Sequence, residues 1–306
     1  MINSTFFAKI LLFGEYLIVY GNEGLIIPYN LFGGKLVIPK KEDYDIISNN
    51  YLVSYYGFLK KNKFFKNKID LNSLKLDLKN KLFFESNIPI GYGIGSSGAV
   101  VSAIYSKYAL NKISRADNNK DSLVELKEFF SIMEGFFHGK SSGLDPLNSY
   151  LNSPILVQKN NIKKITIPKQ DKFKSGGIFL VDSGKIKITE LMINSFIKKM
   201  DEKSFRNAIQ NKMVNVNQKC IQFFLESNIE SLIDNVKELS IMTFEYLKKM
   251  IPKDFYNLWL MGIEQNRYYL KLCGSGGGGY IIGFTKNLNE IEKFFGNKKI
   301  EIVFKF

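Results

Sequence analysis

Apolar and polar positions alternate in a way that divides the chain into short segments. "TFFAKILLFGEYLIVYG" (5–21) reads as a strand, a glycine turn and a second apolar segment. Further strand-like runs follow at 35–39, 45–57 and 81–86. A glycine-rich stretch comes next, and the period then changes. Val100, Ala103, Ile104 and Tyr108 recur at helical spacing, which predicts a helix directly after the glycines. A second helix is predicted from Leu123, Leu126, Phe130, Met133 and Phe137, with Asp121 as its cap. "HGKSSGLDP" (138–146) reads as a loop and "GGIFLVDSG" (176–184) as a strand.

Residues 190–265 are helical in pattern, broken near Pro252, and Ile229, Leu232, Ile233, Val236 and Leu239 form one apolar stripe. "YLKLCGSGGGGYIIGFTK" (269–286) reads as strand, glycine loop, strand, and "IEIVFKF" (300–306) as a closing strand. Strand-rich and helix-rich blocks alternate irregularly, which favours an α+β class over a doubly wound sheet. The charged segment 157–177 is the expected linker, giving domains at 1–165 and 166–306. No internal repeat is present.

Composition changes this picture little. The 306 residues are 45% hydrophobic, enough for a substantial core. The 26 Phe and 16 Tyr, with many Lys, Asn and Ile, look like a codon-composition bias. Charge matters more. A net charge of +14 suits nucleic acid or an anionic small molecule. Lys60-Lys61, Lys163-Lys164 and Lys198-Lys199 are scattered, not gathered in a stripe, so a nucleotide or phosphorylated substrate is favoured and nucleic acid is not expected. Cys220 and Cys273 stand far apart without a Cys/His cluster, which argues against structural zinc and for a reducing, cytoplasmic setting. The apolar N-terminal run is short and interrupted by Lys9 and Glu15, so it reads as a strand and not as a signal peptide; no membrane association is expected.

The candidate chemistry sits in "PIGYGIGSSGAVVSA" (89–103), with glycine at 91, 93, 95 and 98. Glycine lets backbone N–H groups turn toward a ligand without a Cβ in the way. The helix start behind the loop adds its positive end, so loop and helix together form a cradle for phosphate oxygens. Ser96 and Ser97 can add hydroxyl ligands to phosphate or Mg²⁺. The match of Gly93, Gly95 and Gly98 to a dinucleotide fingerprint lacks the acidic strand end that should follow. No GxxxxGK[ST] Walker A loop and no protein-kinase HRD or DFG signature occurs, and the Ser96-Ser97-Gly98 stretch lacks the GxSxG elbow pattern. The plain alternative is a tight structural turn before a core helix.

"PIGYGIGSSGA" resembles the PxxxGLGSS(A/G)A phosphate-binding motif of the GHMP kinase family, with Ile94 where Leu is usual. "AKILLFGEYLIVYG" (8–21) is similar to that family's N-terminal GKxxLFGEHxVVYG motif, and "KLCGSGGGGY" (271–280) to its C-terminal K(L/M)(S/T)GAGGGG motif. The resemblance implies a two-domain α+β fold. Its N-terminal domain would be of the ribosomal protein S5 domain 2 type and its C-terminal domain ferredoxin-like.

It also implies an ATP- and Mg²⁺-dependent small-molecule kinase. ATP would bind on Gly91, Gly93, Gly95, Ser96, Ser97, Gly98 and Ala99, with Gly276 and Gly277 approaching from the C-terminal domain. "EGFFHGKSSGLD" (134–145) is similar to the EGxxxHGxPSGxD segment of the mevalonate kinase branch, one residue short before His138. The resemblance implies Glu134 and Ser97 as metal ligands, and Asp145 with Lys9 as the catalytic pair. Taken alone, Glu134 would be a solvated helix residue, Lys9 an edge-strand side chain and Asp145 a turn residue. For His138, a loop hydrogen bond is favoured over a catalytic base.

"FLVDSGKIKITELM" (179–192) resembles the branch's DTxxxRxTxxLV segment, with Lys187 in place of Arg and Thr189 matching Thr. Glu15 matches the GEH glutamate, whereas Tyr16 replaces the histidine. Glu15, Lys187 and Thr189 are therefore expected at the acceptor, although Lys for Arg loses the bidentate fork. Mevalonate is the expected acceptor. Phosphomevalonate is the near alternative, then homoserine or a sugar. A non-catalytic anion or nucleic-acid binder on the same fold is the alternative of another kind. The resemblance leaves a homodimer open.

Overall fold

The computed structural model describes residues 4–40, 44–159, 161–171, 173–186 and 189–306. Contacts divide the chain into two compact units. The first holds residues 1–9, 27–89 and 95–153; the second holds 10–26, 90–94 and 154–306. This differs from the expected single cut at 165/166. Strands β1 (Phe6–Phe13) and β2 (Gly24–Val37) are long enough to begin in one unit and end in the other, so the units interleave along the chain.

In the first unit, α1 (Ile46–Lys61) occupies the segment whose pattern reads as a strand. The local signals that decide for helix are the Asp45 cap, which accepts from the Ser48 amide at 2.9 Å, and the buried Leu52, Tyr55 and Leu59 at helical spacing. α2 (Leu71–Lys79) is capped in the same way by Asp70. β3 (Phe83–Ser86) pairs antiparallel with the end of β2. α3 (Ser96–Tyr108) follows the glycine loop as expected.

α4 (Lys120–His138) is capped by Asn119, not by Asp121: the Asn119 side chain accepts from the amides of Asp121 and Ser122. Asp121 sits in the first turn, where a carboxylate favours the helix dipole. The expected 138–146 loop ends early, because α5 (Leu144–Leu151) starts before Asp145. Aromatic residues fill this core: Tyr105 lies edge-on to Phe130 and Tyr150 at centroid distances of 4.9 and 5.1 Å. The aromatic excess thus has a packing use.

In the second unit, β4 (Ile155–Gln158) pairs with the start of β2 and forms a hairpin with β5 (Asn161–Lys164). Part of the expected linker is therefore sheet. β6 (Gly177–Asp182) precedes a helical block: α6 (Thr189–Lys199), α7 (Lys203–Asn207), a π-helical turn at Ala208–Met213, α8 (Val214–Leu225), α9 (Ile229–Tyr246) and α10 (Tyr256–Gln265). β7 (Tyr268–Leu272) and β8 (Tyr280–Thr285) flank the second glycine loop. α11 (Glu292–Phe295) and β9 (Ile300–Lys305) close the chain.

The sheet order β7-β8-β6-β9, antiparallel throughout, is that of a ferredoxin-like βαββαβ unit. Leu232, Ile233, Val236 and Leu239 of α9 are buried, each worth roughly 1.5–3 kcal/mol of apolar burial. Among the described residues, no helix is long and apolar enough to cross a membrane.

Candidate active site

The geometry of the first unit starts at Gly95. It holds the left-handed conformation (φ 81°) as the residue before α3. Any side chain there would also press on Lys9, whose Cγ and Cε lie 3.0 and 3.2 Å from a Cβ position, with Asp145 Oδ2 at 3.5 Å. Glycine is thus required twice over, by backbone angle and by space. The Ala99 amide already bonds the Gly95 carbonyl at 3.1 Å. The first-turn amides of Ser96, Ser97 and Gly98 come before that bond and have no intrahelical acceptor, so they are the donors this helix start can offer an anion. Ala99 itself is fully buried and contributes packing.

Gly98 serves a different purpose. A Cβ there would lie 2.7 Å from the Asp145 carbonyl carbon and the Pro146 nitrogen. The absence of a side chain lets α5 approach α3 backbone to backbone, and Ser102 Oγ donates to Gly98 O and is within 2.7 Å of Pro146 O. This approach sets Asp145 beside Lys9. Lys9 Nζ lies 2.9 Å from Asp145 Oδ1. Strand alternation puts Lys9 on the β1 face of Phe7 and Leu11, which are half-buried, yet Lys9 itself is buried. The Asp145 side chain retains 33% exposure, so the pair is covered from the lysine side and open at the carboxylate.

Glu134 is one helical turn beyond Phe130 on α4, which turns it inward; it is 2% exposed. Ser97 Oγ donates to Glu134 Oε1 at 2.9 Å, and Ser141 Oγ donates to Glu134 Oε2. Burial, then the neighbouring Asp145 charge, push the Glu134 carboxyl up to about 7, against the opposing effect of the two serines and Lys9. His138, which is the last residue of α4 and not part of the loop, has Nε2 3.1 Å from Ser97 Oγ. Lys9, Gly95, Ser97, Gly98, Glu134 and Asp145 therefore share one neighbourhood, with Ser96 in the same helix turn. Ser141, which the sequence reasoning did not single out, orients Glu134. Its signal lay in the "KSSG" of the quoted segment.

The second unit holds the other candidates. Gly91, Gly93, Gly276 and Gly277 all have φ between 68° and 83°. The Gly277 amide donates to Met250 O at 2.6 Å, so it serves to fix the loop. Glu15 is buried in an ion pair with Lys271. Lys271 is a further residue missed from the sequence, although it opens the C-terminal motif. Thr189 is the first residue of α6, and Lys187 lies outside the described residues.

Residues 50–152 match the GHMP kinases N terminal domain. That match covers about a third of the chain, and with the relatives below it makes the chain similar to the GHMP kinases. A mevalonate kinase of Archaeoglobus fulgidus is 25% identical over 280 residues, which cover 91% of this chain and 90% of that protein. A mevalonate kinase of Pyrococcus furiosus is 28% identical over 178 residues, 52% of each chain. The crystal structure of L. major mevalonate kinase in complex with R-mevalonate matches with a TM-score of 0.66 at 15% identity, over 100% of this chain and 96% of that one. At that identity the likeness speaks for the fold. Both of these curated relatives are mevalonate kinases.

Proposed function

We propose that the chain is a mevalonate kinase: it transfers the γ-phosphoryl group of ATP to the primary hydroxyl of mevalonate, giving 5-phosphomevalonate for isoprenoid synthesis in the cytoplasm. The observation that carries this reading is the buried Lys9 ammonium paired with the open Asp145 carboxylate, at the foot of the glycine-capped α3. The whole-length similarity to the mevalonate kinase of Archaeoglobus fulgidus supports the acceptor.

Asp145 accepts the hydroxyl proton as the new O–P bond forms and the bridging bond to the β-phosphate breaks, its electrons leaving with ADP. Lys9 stabilises both the carboxylate and the alkoxide charge that develops beside it. The amides of Ser96, Ser97 and Gly98 hold phosphate oxygens. Glu15, Lys187 and Thr189 contact the acceptor.

Ser97 and Glu134 would hold Mg²⁺. The donor set fits: one carboxylate and one hydroxyl 2.9 Å apart suit an ion that keeps water and takes substrate phosphates as its other ligands. Among the described residues, no group of three or more His, Cys, Asp or Glu offers an all-protein metal cage. When bound, Mg²⁺ would neutralise charge on the phosphate oxygens. The raised proton affinity of Glu134 marks a carboxylate that a cation would stabilise in its ionised form.

The test is ADP release with mevalonate, phosphomevalonate, homoserine and galactose as separate acceptors, for the native chain and Asp145→Asn. Turnover on mevalonate, with Asp145→Asn retaining ATP binding and losing at least about 100-fold in kcat, is expected. Turnover confined to another acceptor would replace mevalonate with that compound. Full activity of Asp145→Asn would remove the base assignment.

A further inference from the structure

Two contacts in the second unit tie the turn after β1 to β7 and the C-terminal glycine loop. Lys271, at the end of β7, is 2% exposed and donates to Glu15 Oε1 and to Leu272 O at 3.0 Å. The surroundings are mostly apolar: Leu17, Met213, Leu239, Leu247 and Leu272, with Thr243, line the small cavity that Glu15 and Lys271 share. In such a setting an ion pair is costly to desolvate and strongly destabilising to break, so it fixes geometry more than it adds stability.

The second contact lies one residue on. Tyr16 OH, buried, donates to the Ser275 carbonyl at 2.5 Å, inside the glycine loop. Tyr16 achieves this with a left-handed backbone (φ 63°), a conformation bulky residues rarely adopt. The ring lies 4.5 Å from Phe196 of α6, a contact that holds the strained turn in place.

The loop is also pinned at its far end. The Gly279 amide donates to Lys185 O at 2.6 Å, and a Cβ at Gly279 would lie 2.7 Å from the Tyr92 backbone. Thus the 274–279 loop is hydrogen-bonded to Tyr16 and Lys185 and packs against the Tyr92 backbone, whose carbonyl accepts from the Tyr280 amide at 3.4 Å.

We infer that Lys271 and Tyr16 are positioning residues: together they hold the 274–279 loop in its ligand-ready shape from beneath, through Glu15 and Ser275, without touching substrate. This rests on the kinase reading above for the ligand, the ATP phosphates, but not for the rigidity of the loop. A loop with so many glycines would otherwise lose its order on each release of ligand and regain it at an entropic cost on each binding. A preset loop avoids that cost, so its loss falls on binding.

The experiment compares native chain, Tyr16→Phe and Lys271→Met by amide hydrogen exchange and by steady-state kinetics. Tyr16→Phe removes one oxygen and keeps the Phe196 contact, so it guards against a Lys271→Met chain that fails to fold. Tyr16→Phe is expected to speed exchange across 274–279 by about tenfold, with α9 and β6 unchanged. The KM for ATP is expected to rise roughly 5–10-fold while kcat stays within about twofold. Unchanged exchange in the loop, or a loss confined to kcat, would overturn the positioning role. If the native chain transfers no phosphoryl group to any acceptor, the kinase reading fails and the exchange comparison alone decides this one.

Discussion

Lys9 and Asp145 form an ion pair with an uneven environment: the lysine side chain is 6% exposed and the aspartate 33%. The two residues come from a strand near the start of the chain and the first turn of α5, and they meet because Gly95 and Gly98 leave room for both. The asymmetry has consequences for stability and for turnover.

Removing the aspartate takes the 2.9 Å partner from a buried ammonium, whereas removing the lysine leaves a carboxylate that water can reach. Asp145→Ala should therefore destabilise the chain by about 2 kcal/mol more than Lys9→Met, read from urea midpoints. Lys9→Met should still lower kcat by about 100-fold or more, because the developing alkoxide loses its cation. Near-native turnover of Lys9→Met would contradict the role given to the ammonium.

Gly98 is the contact point of α3 and α5. Gly98→Ala forces a methyl group to within 2.7 Å of backbone atoms that have no side chain to swing away. The expected cost is about 1–3 kcal/mol, with a larger loss in kcat than the stability change alone would give, since Asp145 moves with its backbone. A variant with unaltered melting temperature and activity would show that α5 yields freely.

Glu134 makes stability depend on pH. Its carboxyl titrates near 7 in the native state, above the ordinary value of 4.5. Between those values the native chain binds more protons than the unfolded chain, so stability falls as pH rises through this window. The full contribution is about 3 kcal/mol, and Glu134→Gln should flatten the decline. Denaturation at pH 5, 6, 7 and 8 tests this, and equal slopes for the two chains would refute it. A cation on Glu134 must displace the proton, so Mg²⁺ affinity should strengthen from pH 6 to pH 8 in the native chain alone.

The Asn119 cap offers a control distant from the chemistry. Asn119→Ala should cost about 1 kcal/mol, because two amides at the start of α4 lose their acceptor. Asp121→Ala should cost only a few tenths, about what a dipole contact is worth. Neither should alter KM. A larger effect for Asp121 would return the cap to that residue.

Several parts of this protein were legible in short windows of sequence. The helix after the glycine loop, the α9 stripe and the strands around the second glycine loop follow from periodicity alone, because each depends on neighbours within a few turns. Residues 45–57 misled for the same reason. "DIISNNYLVSYYG" is rich in β-branched and aromatic residues, and the Asp45 cap and the spacing of Leu52, Tyr55 and Leu59 outweigh that preference only once a core exists for them to face.

Local pattern alone determined where the glycine cradle lies and which helix stands behind it, since a cradle is made of consecutive residues. The meeting of Lys9 with Asp145, the burial that raises the proton affinity of Glu134, the Ser141 contact and the Lys271–Glu15 pair were decided only by tertiary structure. Each of these joins residues from separate elements. Their distances and dielectric surroundings come from packing, and no spacing along the chain encodes packing.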